Sequence, residues 1–466
     1  MNVDLANKLL FFSKYVYLFE KKDTVAWYHS LTIKTLFLEK TVSDIIIRIK
    51  QKHNISQIIS VLSEAEMVAV LNAIEVLLLN HFLLEDFTED DKLYQNVLSK
   101  VLWSPAIGIM YLIMTEKCNF ACTYCFVENS LPEKYDFTIM SKDTIKKAID
   151  LYARSISKYA GRKTIILYGG EPMINIEGIR FCLEYVELLK KEQKIPKDVA
   201  ITINTNASLV TTAVAELFKK HDIAVSVSLD GLPQQHDKCR VFENGQPTSA
   251  CTLEGYKKFK QAGVSTGISC TVGEHNINEM NEIVNWMIND LKIDFLGLNP
   301  LTDIKNKKLS SLEYIKRFSE ISINAFEIAR NKGLYEDRAM RKVEYFVHKK
   351  IYPFDCGACG RQIVVAPDGQ VGVCHAYLGD RKYFSKIPID NIDIYKEAEW
   401  KIWSRRSPLL MPQCQSCFAL GLCGGGCPYN ADVNNGSIGE LDDNFCIYSQ
   451  TMIEWMIWDL YSKIQR

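Results

Sequence analysis

The chain has 466 residues, enough for about three domains at ~150 residues each. Apolar residues make up 47% and charged residues 24%, which is ordinary for a globular chain and excludes collagen-like and low-complexity architectures. Lys plus Arg number 55 against 56 Asp plus Glu, a net charge of −1, so no general affinity for nucleic acid or acidic membranes is expected. The opening Met1-Asn2-Val3-Asp4 lacks the basic region and apolar run of a secretory signal, and a cytoplasmic protein is expected. Residues 15–19 and 24–29 read as strands around the turn Lys21-Lys22-Asp23, with 33–38 as a third. Three helical patterns follow. Val42, Ile45, Ile46 and Ile49 share one face, and Ile55, Ile58, Ile59 and Leu62 another. Val68, Leu71, Ile74, Leu78 and Phe82 make the third, preceded by a capping box from Ser63 to Glu66. This β-β-β-α-α-α order predicts a winged-helix-like domain over residues 1–87. Its most apolar stretch, 67–87, is broken by Asn72, Glu75, Asn80, His81 and Glu85 and is too polar to span a membrane. Residues 88–105 read as a polar linker.

Strand-like runs at 107–113, 164–168, 200–204, 223–229, 266–272 and 293–298 alternate with helical patterns such as 142–158 and 178–191. Six such units predict an α/β fold with a parallel sheet and right-handed crossovers. Two units short of a closed eight-fold barrel, it is expected to be a partial (β/α)6 TIM-like barrel over residues 106–310. Residues 311–355 read as a helical connection. Residues 356–446 are rich in Cys and Gly with little periodicity, so something other than an apolar core is expected to order this irregular domain. Residues 447–466 read as a C-terminal amphipathic helix.

Of 15 cysteines, Cys182, Cys239, Cys251 and Cys270 are scattered and eleven are grouped. In a large chain kept reduced, grouped cysteines point to metal or catalysis. Cys118-x3-Cys122-x2-Cys125 follows the first barrel strand at its C-terminal end, the face on which barrel active sites lie. Three thiolates on one loop suit three irons of a [4Fe–4S] cube and leave the fourth open. The alternative is a zinc site completed by a distant ligand. Tyr168-Gly169-Gly170-Glu171-Pro172 ends the second strand. Its glycines permit close approach of a ligand to the backbone, and Glu171 can accept from an ammonium. On its own this is a common strand-to-helix turn. Downstream stand Cys356, Cys359 and Cys374, then Cys414, Cys417, Cys423 and Cys427, then Cys446. These eight make two sets of four, a count that suits iron–sulfur cubes or zinc.

The first cysteine spacing, Tyr124 and Gly169-Gly170-Glu171-Pro172 together resemble the radical S-adenosylmethionine superfamily over residues 106 to about 300. The resemblance implies that S-adenosylmethionine chelates the open iron and is cleaved to a 5′-deoxyadenosyl radical that abstracts a substrate hydrogen. It implies that Glu171, on the Gly169-Gly170 turn, holds the methionine ammonium and that Tyr124 lies near the adenine. Ser228, in Ser228-Leu229-Asp230-Gly231, would face the ribose. Arg240, in His236-Asp237-x2-Arg240, would pair with the methionine carboxylate, and Asn206 is a further contact. The later cysteines resemble the SPASM extension, which implies two auxiliary [4Fe–4S] clusters and three clusters in all. The first would take Cys356, Cys359, Cys374 and Cys427, the second Cys414, Cys417, Cys423 and Cys446. Such interleaving makes metal binding fold the region.

The N-terminal element order resembles a RiPP recognition element, implying capture of the leader of a ribosomally made precursor peptide by strand addition. DNA binding is the alternative, against which residues 57–62 carry no charge; a scaffold or dimerisation domain is another. The expected function is a peptide maturase that installs a thioether or another side-chain crosslink, fed by an electron donor such as flavodoxin or ferredoxin. Neither nucleic acid nor membrane is an expected partner. His375 is the candidate catalytic residue, as acceptor of a thiol proton. One alternative is a sulfatase-type formylglycine maturase, whose pattern has Asp where His375 stands. Another is a non-catalytic iron–sulfur or zinc regulator.

Overall fold

The computed structural model describes residues 8–48, 55–125, 137–301 and 312–465. After a short β1 (Phe11–Phe12), the chain forms the antiparallel meander β2 (Val16–Lys21), β3 (Thr24–His29) and β4 (Lys34–Glu39). Helices α1 (Lys40–Ile47), α2 (Ile55–Ile59) and α3 (Glu64–Leu79) follow, and β5 (Leu83–Leu84) pairs with β1. The period-two alternation divides the meander into two buried faces. Val25, Trp27, Leu36 and Leu38 pack with Ile46, Val70, Ile74 and Leu77 of the helices, and the Trp27 indole donates to Ser43 Oγ at 3.0 Å. Phe19, Ala26, Tyr28 and Phe37 face the other way, toward the C-terminal region.

The capping box forms as read: Ser63 Oγ accepts from Glu66 N–H, and Glu66 accepts from Ser63 N–H. The buried face of α3 differs from the expected one. Val70, Ala73, Ile74 and Leu77 are buried, Val68 is 51% exposed, and Phe82 is buried beyond the helix end. This helix is apolar around most of its circumference, so several stripes fit the period and the facing sheet chooses among them. Ile49 and the Ile58 side chain lie outside the described residues, as does Met1-Asn2-Val3-Asp4. The expected polar linker contains a helix, α4 (Glu89–Lys100). Its Leu93, Tyr94, Val97 and Leu98 pack onto Tyr15, Leu31, Leu409 and Leu420, a stripe narrow enough to be hidden among charges.

The six expected barrel strands are present in order: β6 (Ile109–Thr115), β7 (Thr164–Gly169), β8 (Ala200–Thr205), β9 (Ala224–Ser228), β10 (Thr266–Val272) and β11 (Phe295–Pro300). Between them run α5 (Lys142–Ser155), α6 (Ile176–Lys191), α7 (Thr212–Lys220), α8 (Ser249–Gln261) and α9 (Met280–Asn289). The fold is α/β, a partial barrel with a small N-terminal sheet domain and a cysteine-rich C-terminal region. Its sheet is extended at both edges. After α10 (Leu312–Asn331), β12 (Tyr335–Glu336) adds parallel to β11. After α11 (Asp337–Val347), β13 (Gln362–Val365) adds parallel to β6 and β14 (Val371–Gly372) pairs antiparallel with β13. The expected boundary at 310/311 lies outside the described residues.

The cysteine-rich region has an apolar core, contrary to expectation. Ile363, Val364, Val365, Val371, Trp400 and Trp403 are buried and continuous with the core of the barrel. Its apolar runs are too short to register as a period. The region contains α12 (Pro428–Asn435) and leads into α13 (Asp443–Ile464), whose first turn carries Cys446. α13 closes the structure. Its Tyr461 ring lies 4.9 Å from Phe37 and its hydroxyl 2.8 Å from Thr24 Oγ1, while Arg330 of α10 makes a two-point pair with Asp459 at 2.7 and 3.0 Å. Among the described residues no helix is long and apolar enough to cross a membrane.

Phe37 therefore couples the N-terminal sheet to α13. Phe37→Ala should speed amide hydrogen exchange in 34–39 and in the last turns of α13 together. Faster exchange confined to 34–39 would assign the docking to other contacts.

Candidate active site

The three-cysteine loop leaves β6 at Thr115, and the Gly-Gly turn after β7 lies directly beneath it. Gly169 has φ +145°, and a Cβ there would stand 2.1 Å from the Thr115 carbonyl oxygen; one on Gly170 would stand 2.2 Å from that of Lys117. The neighbour these glycines admit is the loop's own backbone, which accepts from Gly170 N–H (Thr115 O, 2.9 Å) and Glu171 N–H (Lys117 O, 2.8 Å). Glu171 is 1% exposed. Oε1 accepts from the Thr205 hydroxyl at 2.8 Å and Met173 N–H at 3.0 Å, and Oε2 from Asn206 N–H at 2.8 Å. Burial raises its pKa to about 7 against the pull of those donors. A carboxylate has about four acceptor positions, so one remains.

Asn206 braces the loop. It donates to Asn119 Oδ1 at 2.9 Å and accepts from Ser208 N–H and hydroxyl at 3.0 and 2.6 Å, while Asn119 donates to Ser208 Oγ at 2.8 Å. On the opposite side Ala121 N–H bonds Val241 O at 2.8 Å and Thr123 N–H bonds Cys239 O at 2.9 Å. Ser228 ends β9 half-buried, in register with Ser269.

Asp230 is the hub that residue patterns did not single out. It is fully buried and accepts from the Tyr124 hydroxyl, from Arg240 Nε at 3.0 Å and from Thr271 N–H at 2.9 Å; His275 Nε2 lies 3.4 Å away. Burial alone would raise its pKa, but the charges of Arg240 and the histidines hold it well below the usual carboxylate range. In turn Asp230, together with Cys239, outweighs the effect of burial on His275, whose pKa rises to about 9. The Tyr124 ring stacks on His275 at 5.9 Å and carries the Arg240 guanidinium over its face at 5.4 Å. Arg240 thus commits Nε to Asp230 and sets Nη1 4.0 Å from Cys122 Sγ, whereas the residue pattern placed it on a ligand carboxylate. The signal for Asp230 stood within Ser228-Leu229-Asp230-Gly231, with Arg240 ten residues on.

Neighbouring protein atoms partly desolvate both thiols and push Cys118, although it is exposed, up to about 12 and the half-buried Cys122 to about 11, the latter against the charge of Arg240. Thiols raised in this way keep their protons at neutral pH, and a bound metal is the partner that displaces them. Three converging thiols beside a cation therefore fit an iron–sulfur cluster.

The later cysteines lie within electrostatic range of one another in two groups. After burial, Cys374 feels Cys356, Cys427 and Cys359, and Cys359 feels Cys427. Cys446 feels Cys423, Cys414 and Cys417. Burial pushes Cys356, Cys359, Cys427 and Cys414 up to about 12, the same signature as in the first loop. Among the described residues no three Cys, His or carboxylate side chains are arranged around a single ion. Next to Cys374, the His375 ring stacks on Tyr111 at 4.7 Å and packs against Tyr168 at 5.1 Å. Burial lowers its pKa to about 4, so it is neutral near pH 7 and a weak proton acceptor. The two ring contacts fix the His375 ring beside Cys374. Tyr168 in turn feels the charge of Cys125, and Tyr111 those of Cys356 and Cys374.

Residues 112–287 match the Radical SAM superfamily. The radical SAM cyclopropyl synthase TigE of Paramaledivibacter caminithermalis is 24% identical over 396 residues, 80% of this chain and 78% of TigE. A cysteine-type anaerobic sulfatase-maturating enzyme of Clostridium perfringens is 24% identical over 353 residues, 72% of this chain and 93% of that one. Two solved structures share the fold. Native anSMEcpe with bound AdoMet superposes with a TM-score of 0.63 at 19% identity, covering 76% of this chain and 100% of that one. Streptococcus suis SuiB bound to precursor peptide SuiA gives 0.55 at 16% identity, covering 94% and 99%.

The backbone contact beneath the cysteine loop yields a paired test. Gly170→Ala should destabilise the protein by about 1–3 kcal/mol through overpacking. Gly161→Ala, where a Cβ meets nothing within 4 Å, should stay within ~0.5 kcal/mol. Equal thermal shifts in the two variants would contradict the close approach.

Proposed function

We propose, from the premise that the barrel belongs to the radical SAM superfamily, that this enzyme modifies a ribosomally made precursor peptide, forming a thioether or another side-chain crosslink. The carrying observation is the ring chain inside the barrel. The His375 ring lies 5.1 Å from that of Tyr168 and 4.7 Å from that of Tyr111, His375 adjoins Cys374, and Tyr168 lies within electrostatic range of Cys125. Cys125 and Cys374 thus lie to either side of the same rings, and Thr202, Asn204, Ser226, Ser228, Ser269 and Thr271, half-buried along the strands, form a polar wall. Such a wall suits a peptide backbone. When bound, S-adenosylmethionine and the cluster of Cys118, Cys122 and Cys125 supply the hydrogen-abstracting 5′-deoxyadenosyl radical.

The chain's own groups have assigned tasks. The last acceptor position of Glu171, beside Gly169 and Gly170, takes the methionine ammonium. Arg240 keeps Nη1 on the Cys122 side and has donors left for the carboxylate, Ser228 faces the ribose, and Tyr124 is held by Asp230 at the adenine. Asn206 holds the loop. His375 shapes the wall beside the first auxiliary cluster, on Cys356, Cys359, Cys374 and Cys427. The second auxiliary cluster takes Cys414, Cys417, Cys423 and Cys446, and a flavodoxin or ferredoxin supplies electrons. β4 is an edge strand with no strand partner on its outer side among the described residues, and the leader adds there. The extent of the SuiB likeness, 94% of this chain against 76% for anSMEcpe, favours a leader-guided substrate over a sulfatase.

Three cubes correspond to about twelve irons, and replacing Cys118, Cys122 and Cys125 together by Ala should leave about eight and abolish S-adenosylmethionine cleavage. Stoichiometric zinc with little iron would overturn the reading. Leader docking has its own measurement. Adding full-length precursor should slow amide exchange across 34–39, whereas a leaderless core peptide should not. Equal protection by both peptides would remove the leader role from β4.

A further inference from the structure

Two cations are buried among the later cysteines, with no carboxylate closer than 4.0 Å to either among the described residues; Asp355 stands near one, and the other acts on Asp442 at longer range. The Lys342 side chain is 1% exposed. Its Nζ donates to the carbonyls of Leu422 at 3.2 Å and Cys423 at 2.8 Å and lies 4.6 Å from the centre of the Phe445 ring. Among the described residues the one carboxylate within reach, on Asp355, stands 4.0 Å away and also accepts from the Tyr352 hydroxyl at 3.2 Å. Cys423, Phe445 and Asp355 are, or immediately precede, members of the two quartets. Arg406 is 4% exposed and donates only to carbonyls, those of Ile438, Gly425 (2.6 Å) and Glu440 (3.1 Å); no salt bridge reaches it among the described residues. Its charge acts on Cys356 and Cys359 of one quartet and on Cys414 of the other.

A buried cation costs several kcal/mol unless an anion lies close by. Backbone dipoles offset part of that cost, and what remains calls for negative charge at the quartets. We propose that Lys342 and Arg406 are the buried counter-charges of the auxiliary clusters, and that Lys342 raises the reduction potential of the one held by Cys414, Cys417, Cys423 and Cys446. The inference rests on the cluster assignment above. A cube on four thiolates is anionic and gains a further negative charge on reduction, so a fixed cation beside it favours the reduced form.

The test uses full-length reconstituted protein carrying Cys118, Cys122 and Cys125→Ala, so that only auxiliary clusters titrate. Lys342→Met and Lys342→Arg are compared by iron content and by redox titration followed by EPR. At the potential where the parent is half reduced, Lys342→Met should lower the ratio of reduced to oxidised cluster about tenfold, ~59 mV for one electron. Lys342→Arg should stay near the parent. Iron loss in Lys342→Met alone also supports the proposal. Coincident titrations, or equal shifts or iron loss in both variants, overturn it and leave Lys342 a packing residue. Cys423→Ala tests the underlying assignment separately: if it loses no iron, there is no cluster at that quartet.

Discussion

The buried carboxylate of Asp230 organises the catalytic end of the barrel. It has no access to water, so every acceptor position must be filled from the protein. Tyr124 fills one from the cysteine loop, Arg240 another from the segment after β9, and the Thr271 backbone a third from β10. A single charge therefore fixes three chain segments against one another. The loop has no core of its own, and it acquires a defined path by lying between this carboxylate and the Gly169-Gly170 turn.

The division of labour between charge and packing repeats at the other end of the chain. There the cysteine quartets gather segments distant in sequence, while short apolar runs such as 362–365 attach the whole to the barrel sheet. Asp442 illustrates the join. It caps α13 by accepting from Phe445 N–H at 3.3 Å and also accepts from Cys427 N–H at 2.9 Å. One side chain thus holds Cys427 against the helix turn that carries Cys446. Glu116, buried just ahead of the first cysteine, does likewise through Arg381 at 3.1 Å, linking the catalytic loop to the cysteine-rich region.

Much of this was legible from residue order. The six barrel strands and the Ser63–Glu66 cap follow from short-range patterns with a clear physical cause, whereas the division of the later cysteines into quartets came from the resemblance. What escaped is of three kinds. The face of α3 was ambiguous because apolar residues surround the helix, and only the facing sheet selects one. α4 and β13 were hidden because their apolar stripes are brief, and burial depends on partners hundreds of residues away. Asp230, Lys342 and Arg406 look like surface charges in sequence; their burial follows from tertiary neighbours that no local pattern encodes. The bracing role of Asn206 was not legible, since an amide at a strand end serves equally to bind a ligand or to brace a loop.

The docking of the N-terminal sheet on α13 has a consequence for how the protein is made. Thr24 and Tyr461 touch across 437 residues of chain. At about 5–20 residues per second, a ribosome needs roughly 20–90 s to deliver the second after the first. Throughout that interval Phe19, Tyr28 and Phe37 lack their apolar partners, on a sheet whose β4 edge is open to pairing. Nascent chains crowded on one message would hold many such surfaces close together. The late arrival of α13 thus makes the order of synthesis, and not only the final contacts, a constraint on this sheet.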